Sequence, residues 1–557
     1  MQASPSRGRP FFPVVASIVS LDHAAGGLAL RRLCQSLGSK SPISIMPMCF
    51  STAGSACALF SLNELVIKSR AKMSMPARTL DITRDEPIGL RRWMECVLEE
   101  AERASFDFSP EPIHDLRVAL RRCRSMATGY MTIDPDKTWK ALAKQAKRLF
   151  KRLGELRDAQ VMEEWVGRLG LQDDPVCSAM RIHLSQREQE SKLSAMEALR
   201  EFDRESWVRW IQRLQRRSRR IPVAGSVFQL NALDAWEAAH HLHTAALRSR
   251  GDSAFHRLRI GIKKFRYLVE NFLPLRHQQW GDDLKSVQDC LGEVHDLTVF
   301  WDTAVQIHAF PDSGSWDRWL RRIEDEKAQR IEMYRNKMVG KQSLWQVWRD
   351  GLPPPNRLPS LNLSVIQTWA SFHGANLKQA RDVRRLALQL YDGLHPRRGS
   401  NSDGLSGGRA ILHAAAVLHE VGGDKGERRG AGQVEKMLQR LPALPGLSSE
   451  SLRLATLVVH YAKIRLQNLD KADGAGLPEE QRRAAFEIAG ILRLVSVLVR
   501  NSNPPSRRLI VERSGDSIGI LVEDYSELSP LAVKAARARY LLEYSCGNPI
   551  RIRNLPA

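Results

Sequence analysis

The sequence predicts a mainly α protein, and three observations carry that reading. Apolar residues recur at steps of three and four from Glu86 to about Gly340, with charges between them. Strand-like alternation is nearly absent over the same stretch. A basic helical segment also occurs twice, and its two copies align without a gap.

Helical patterning is clearest at Ile88 to Arg103, Ile113 to Gly129, Trp139 to Gly167 and Ala254 to Phe272. The breaks carry turn chemistry: Ser109-Pro110-Glu111-Pro112, Asp134-Pro135, Asp173-Asp174-Pro175 and Gly251-Asp252-Ser253. The Pro-rich run Gly351 to Pro359 reads as a stiff spacer between domains. Helices are expected again from Leu363 to about Val499, with loops at His395 to Gly408 and Gly422 to Gly432. Leu509 to Glu512 and Ile518 to Val522 flank Ser514-Gly515-Asp516, which predicts a small β-hairpin. A last helix, Pro530 to Tyr544, precedes a short tail. Residues 1 to about 74 lack a sustained period and hold no run of about 20 lipid-facing residues. They read as a disordered extension or as translation assigned too far upstream, with Met73 or Met75 as alternative starts.

The 557 residues suffice for two or three domains. The net charge of +22 favours an anionic partner: nucleic acid, a membrane surface or a phosphate polymer. Aromatics are only 7% of residues, which disfavours a single-strand binder that stacks bases on exposed rings. The eight cysteines are scattered without a C-x-x-C pair. They read as thiols of a reducing compartment, neither a disulfide framework nor a zinc site.

The repeat is the most informative feature. One copy runs from Ile113 to Arg124 and the other from Phe255 to Arg266. His114, Arg117, Arg121 and Arg124 are spaced 3, 4 and 3, so they share one narrow helical face. His256, Arg259, Lys263 and Arg266 do the same. Beside each row lies an apolar stripe: Ile113, Leu116, Leu120 and Cys123, then Phe255, Leu258, Ile262 and Phe265. Such a row is self-repulsive unless counter-charge or solvent intervenes. A second element also repeats: Leu153-Gly-Glu-Leu-Arg-Asp158 and Leu291-Gly-Glu-Val-His-Asp296.

These two motifs, present in both halves, resemble the CHAD family, the conserved-histidine α-helical domain. The resemblance implies two helical bundles related by pseudo-twofold symmetry, with the basic helices lining a central cationic groove whose usual ligand is inorganic polyphosphate. Carried over residue by residue, the implied contacts are His114, Arg117, Arg121, Arg122, Arg124 and Lys147, then His256, Arg259, Lys263, Lys264, Arg266 and Lys285. Arg148, Lys151 and Arg157 are extra cations of the first half; Ser286, Asp289 and His295 stand in their places in the second, so unequal binding by the halves is expected. The implied division is an extension at 1–80, a CHAD domain at 81–345 with halves of about 81–225 and 226–345, a linker at 346–362, and a second domain at 363–557.

That second domain resembles the C-terminal helical domain of the exopolyphosphatase and guanosine-pentaphosphatase family. The resemblance is carried by Ala380 to Asp392, Ala414 to Gly422, Leu441 to Ser448 and Ala489 to Val495. It implies a degenerate HD-type fold. Gln379 stands where the first metal-binding His belongs, His419-Glu420 replaces the His-Asp pair, and Ser496 replaces the last Asp. His419 and Glu420 are at most a remnant metal site, because one His and one Glu cannot hold a hard cation without further ligands. Lys425, Arg428 and Arg429 mark a basic loop, solvated or contacting an anion. Gly404-Leu-Ser-Gly-Gly408 fits the nucleophile-elbow pattern but follows no strand, so it reads as coincidence.

The expected function is therefore non-catalytic polyphosphate binding, with no cofactor and no catalytic residue. The expected location is cytoplasmic, polyphosphate granules included. Two alternatives stay open: a polyphosphate or nucleotide phosphohydrolase using the remnant metal site, and a nucleic-acid binder. No partner is assigned to the C-terminal domain.

Overall fold

In this computed structural model the described residues are 89–170, 173–396, 407–421, 436–439, 441, 449–464, 477–501 and 508–556. The N-terminal extension, the Gly404 to Ser406 part of the elbow-like pattern, and the basic loop at Lys425, Arg428 and Arg429 lie outside them. The described chain is mainly helical, with one small sheet near its end. None of the described helices is long and apolar enough to cross a membrane.

The first half consists of α1 (Leu90–Phe106), α2 (Pro110–Met131), α3 (Lys137–Leu169), α4 (Pro175–Arg200) and α5 (Arg204–Ser218). The second consists of α6 (Ser226–Ser249), α7 (Asp252–Phe272), α8 (Pro274–Gln306), α9 (Ser313–Met338) and the short α10 (Leu344–Asp350). The turn chemistry of the sequence becomes helix starts. Pro110, Pro175 and Pro274 occupy first-turn positions, where a missing N–H costs nothing. Asp136, Asp174, Asp203 and Asp312 cap α3, α4, α5 and α9 by accepting from the backbone N–H of Thr138, Val176, Ser206 and Ser315.

Within each half, consecutive helices pack as neighbours, except that α5 packs on α1 and α3 and not on α4. Between the halves, α2 meets α7 and α3 meets α8. Each repeated helix thus faces its own counterpart, as a twofold duplication requires. Ile113, Leu116, Leu120 and Cys123 are fully buried, as are Leu258, Ile262 and Phe265, with Phe255 nearly so. A separate apolar cluster holds the far ends of α3 and α8 together; Trp165, Val166, Leu297, Phe300 and Trp319 are among its members. The five described cysteines are free thiols.

The Pro-rich run is folded into the structure and does not act as an extended spacer. Trp345 and Trp348 of α10 and Leu352 after it are buried. Pro355–Arg357 forms one 3-10 turn, and α11 (Leu358–Phe372) starts directly after it, five residues earlier than the periodicity suggests. Arg220 donates to the Ser371 carbonyl at 3.0 Å and stacks on Phe372, 4.0 Å from the ring centre. One hydrophobic core runs without interruption from Leu90 to Ile552.

The C-terminal helices are α12 (Leu377–Leu394), α13 (Gly408–Leu418), α14 (Ser449–Lys463) and α15 (Glu479–Arg500). The expected hairpin is present as β1 (Leu509–Ser514) and β2 (Ser517–Val522). The expected last helix is two short ones, α16 (Pro530–Ala538) and α17 (Tyr540–Cys546). The tail is a third strand, β3 (Ile550–Asn554), parallel to β2. α17 lies close on α15 because Gly490 has no side chain; a Cβ there would come within 2.7 Å of the Leu542 nitrogen.

Candidate polyanion groove

The two cation rows lie on α2 and α7 and converge where these helices cross. Arg117, Arg121, Arg259 and Lys263 form the centre. Burial, together with repulsion from Arg259, Arg121 and Arg117, pushes the Lys263 ammonium down to about 8, only partly offset by Asp296. Two of those repelling groups belong to the other half, so the rows share one space. Arg121 lies over the ring of Tyr267, 5.3 Å from its centre. The Nε of Arg121 and of Arg259 are buried without hydrogen-bond partners. Both donors have capacity left for an anion's oxygen.

The second repeated motif supplies the floor. Asp158 of α3 lies within electrostatic reach of Arg117 and Arg259, and Asp296 of α8 of Arg259 and Lys263. Burial raises both carboxyls above the usual Asp range; repulsion from Glu155 adds to it at Asp158, and repulsion from Asp158 and Glu293 adds to it at Asp296. Gly154 of the same motif makes room for Arg117: a Cβ there would meet the guanidinium at 3.1 Å. Arg117 donates to the Phe150 carbonyl at 3.0 Å and stacks on the Phe150 ring, which Arg124 also approaches. Asp158, Asp296 and Tyr267 were absent from the residues expected at the site. The aspartates carried a signal, since they end both copies of the motif; Tyr267 carried none, because Ser125 stands at its place in the first copy.

The histidines mark the edges. Burial first, then Arg157, Arg121 and Arg117, lower the His114 imidazolium below its usual range. His256 faces His295 with ring centres 4.8 Å apart. Burial and the cations Arg259 and Lys263 push His295 down to about 4. The pair lines a cavity of about 190 Å³ together with Phe255, Leu291 and Val294.

The remaining expected residues are spread more widely. Arg122 leaves the row: its guanidinium donates to Glu270 and to Asn271, tying α2 to α7, and lies over Trp93. Arg266 pairs with the same Glu270 at 3.7 Å. Arg157 pairs with Glu164 at 3.3 Å. Arg148 pairs with Glu201, just past the end of α4. Lys147 and Lys151 are exposed on α3, and Lys264 is exposed on α7. Lys285 is exposed on α8, in a concavity it shares with Asp282, Asp289 and Glu293.

The fold and this groove define a class first: a duplicated helical domain whose paired helices bring arginine and lysine of both halves together. Residues 90–305 match the family model for the CHAD domain, and this segment of the chain is a CHAD domain. Among solved structures, the chain is similar to the crystal structure of the CHAD domain from the plant Ricinus communis, at 20% identity over 44% of this chain and 88% of that one, with a TM-score of 0.32. No curated protein matches the chain.

In the C-terminal region the structure brings together three of the four residues at HD-type positions. His419 and Glu420 are buried, with His419 Nδ1 3.4 Å from the Glu420 carboxylate and 3.5 Å from Ser496 Oγ. Gln379 instead sits in the first turn of α12, where its N–H donates to the capping Asn376. Arg500 holds both Glu420 oxygens at 3.1 and 3.2 Å, and Lys463 lies within electrostatic reach. Despite burial, the hydrogen bond with His419 and then the Arg500 guanidinium keep the Glu420 carboxyl below its usual range, while burial pushes His419 down to about 4. A divalent ion does not fit this donor set. It would have to displace a guanidinium and would meet two cations. No group of three or more His, Cys, Asp or Glu suited to a metal occurs among the described residues.

The depressed Lys263 gives the groove a pH signature. Its ammonium carries full charge only below about 8, so anion binding should weaken as pH rises from 7 to 9. Arg in its place stays charged throughout. Titrating polyphosphate at both pH values should show a fall of severalfold in the wild type and a flat profile in Lys263→Arg. Equal slopes in the two proteins would place the titrating group elsewhere.

Proposed function

We propose that the protein binds inorganic polyphosphate in the α2/α7 groove and does not turn it over. The observation that carries this is the convergence of Arg117, Arg121, Arg259 and Lys263 from opposite halves, with unpaired buried donors and a lysine driven down to about 8. A flexible polymer bearing charge on every unit relieves that repulsion, and it needs no ring to stack against. The general association of CHAD domains with polyphosphate supports the same ligand. Arginine forks suit phosphate oxygens. The Glu420–Arg500 pair argues against a metal-dependent hydrolase in the C-terminal region.

The test is a titration of the full chain with long-chain polyphosphate at two salt concentrations, with free phosphate monitored in the presence of magnesium or manganese. Tight binding that weakens steeply with salt through counterion release, without phosphate release, is expected. Absence of binding at low salt would reject the reading. Metal-dependent phosphate release lost in His419→Ala would favour the hydrolase. A tighter grip on DNA or RNA in competition would favour the nucleic-acid binder.

A further inference from the structure

The groove has a one-sided extension. Along α3, Lys137, Lys140, Lys144, Lys147 and Lys151 follow steps of 3, 4, 3 and 4, so all five fall on one helical face. All five are exposed, and none has an acidic partner among the described residues. The next two steps on that face are Gly154, over which Arg117 lies, and Asp158 on the groove floor. The lysine row therefore leads straight into the site. It spans 15 residues, or about 21 Å of helix.

The surrounding contacts keep this face unpaired. Glu201, just past the end of α4, and Glu197 on α4 are taken by Arg148 and Arg152, which lie to the side of the row. Asp134 and Asp136 at the start of α3 are taken by Arg213 and Arg217 of α5. These acids are thus matched by arginines; the exposed Glu155, one turn past Lys151, is an acid at the groove end of the row, away from Lys137, Lys140 and Lys144. Five like charges in line on one helix repel one another, and a bound anion relieves that repulsion more fully than solvent does.

The second half lacks the feature. In the gapless alignment of the second motif, the five positions on α8 are Leu275, Gln278, Asp282, Lys285 and Asp289. One cation remains, in a concavity with Asp282, Asp289 and Glu293. An anionic chain leaving the groove would be attracted along α3 and repelled along α8.

We propose that Lys137, Lys140 and Lys144 extend the binding site into a polyphosphate track, so that a long chain leaves the groove over the first half only. This rests on the groove being a polyphosphate site. Short chains fill the groove alone, and long chains occupy groove and track together. The linked contacts then add through effective concentration.

The test compares the full chain with the variant K137Q/K140Q/K144Q, using triphosphate and long-chain polyphosphate as probes. The variant should lose roughly tenfold in long-chain affinity and about two units of the salt-dependence slope, with triphosphate binding unchanged. A second variant, L275K/Q278K/D282K, rebuilds the track on α8 and should raise long-chain affinity. If wild type binds no polyphosphate, both readings fail. If wild type binds and the lysine variant matches it in long-chain affinity and slope, the track alone is overturned. Equal losses for triphosphate and long chains would also overturn it, since they would place these lysines at the groove itself.

Discussion

Reversing Arg121 and Lys263 to glutamate together should weaken polyphosphate binding by roughly a hundredfold to ten-thousandfold, since each charged contact to phosphate contributes about 1.5–3 kcal/mol. The fold should survive. Both side chains belong to the cation rows, whereas the stripe that packs the bundle is formed by Leu116, Leu120, Leu258 and Ile262. Arg121 and Lys263 repel each other and their neighbours Arg117 and Arg259 in the free protein. The new carboxylates would lie among those arginines, so the free variant should melt no lower than wild type. Binding by filter retention or calorimetry and a thermal melt read the two effects separately. Wild-type affinity in this variant would move the ligand out of the groove.

The opposite pattern is expected at Arg122. Its side chain is 15% exposed and that of its partner Glu270 is 8% exposed, so the pair is largely shielded from water. Removing one partner strands a buried charge, at a cost of about 3–5 kcal/mol. Arg122→Met should therefore lower the melting temperature by several degrees, whereas polyphosphate affinity, measured where the variant is folded, should shift by less than about threefold. R122M/E270M should regain only part of the stability, because Arg266 then loses the carboxylate it shares with Arg122. A large affinity loss without a stability loss would make Arg122 a ligand contact, as the family resemblance implies, and not a tie between the halves.

These two arginines show what the sequence can and cannot disclose. Helical spacing separates the row of Arg117, Arg121 and Arg124 from the apolar stripe, and the stripe is buried throughout. The repeat makes the pairing of α2 with α7 legible. Spacing alone does not reveal that Glu270 and Asn271 face Arg122, because that contact joins residues about 150 positions apart. Asp158 and Asp296 were visible as repeated letters, but their place between the cation rows depends on the packing of α3 against α8. The Pro-rich run has the composition of a linker; the apolar anchors Trp345, Trp348 and Leu352 determine that it folds in. β3 has alternating Ile and Arg, but it is only five residues long, and its parallel partner β2 is distant enough to hide the pairing. At the C-terminal pair, the sequence placed His419 beside Glu420, and Ser496 did come to join them. The guanidinium of Arg500, 80 residues away, decides the electrostatics there.

The continuous core has a consequence for how the two helical regions communicate. Ligands stabilise whatever unfolds together with their binding site. The groove helices share buried side chains with α10 and α11, and Arg220 fastens the end of the first half to the end of α11. Polymer captured between α2 and α7 must therefore slow hydrogen exchange in α12 and α15 as well as in the groove. The C-terminal surface would then register occupancy as rigidity, without touching a single phosphate.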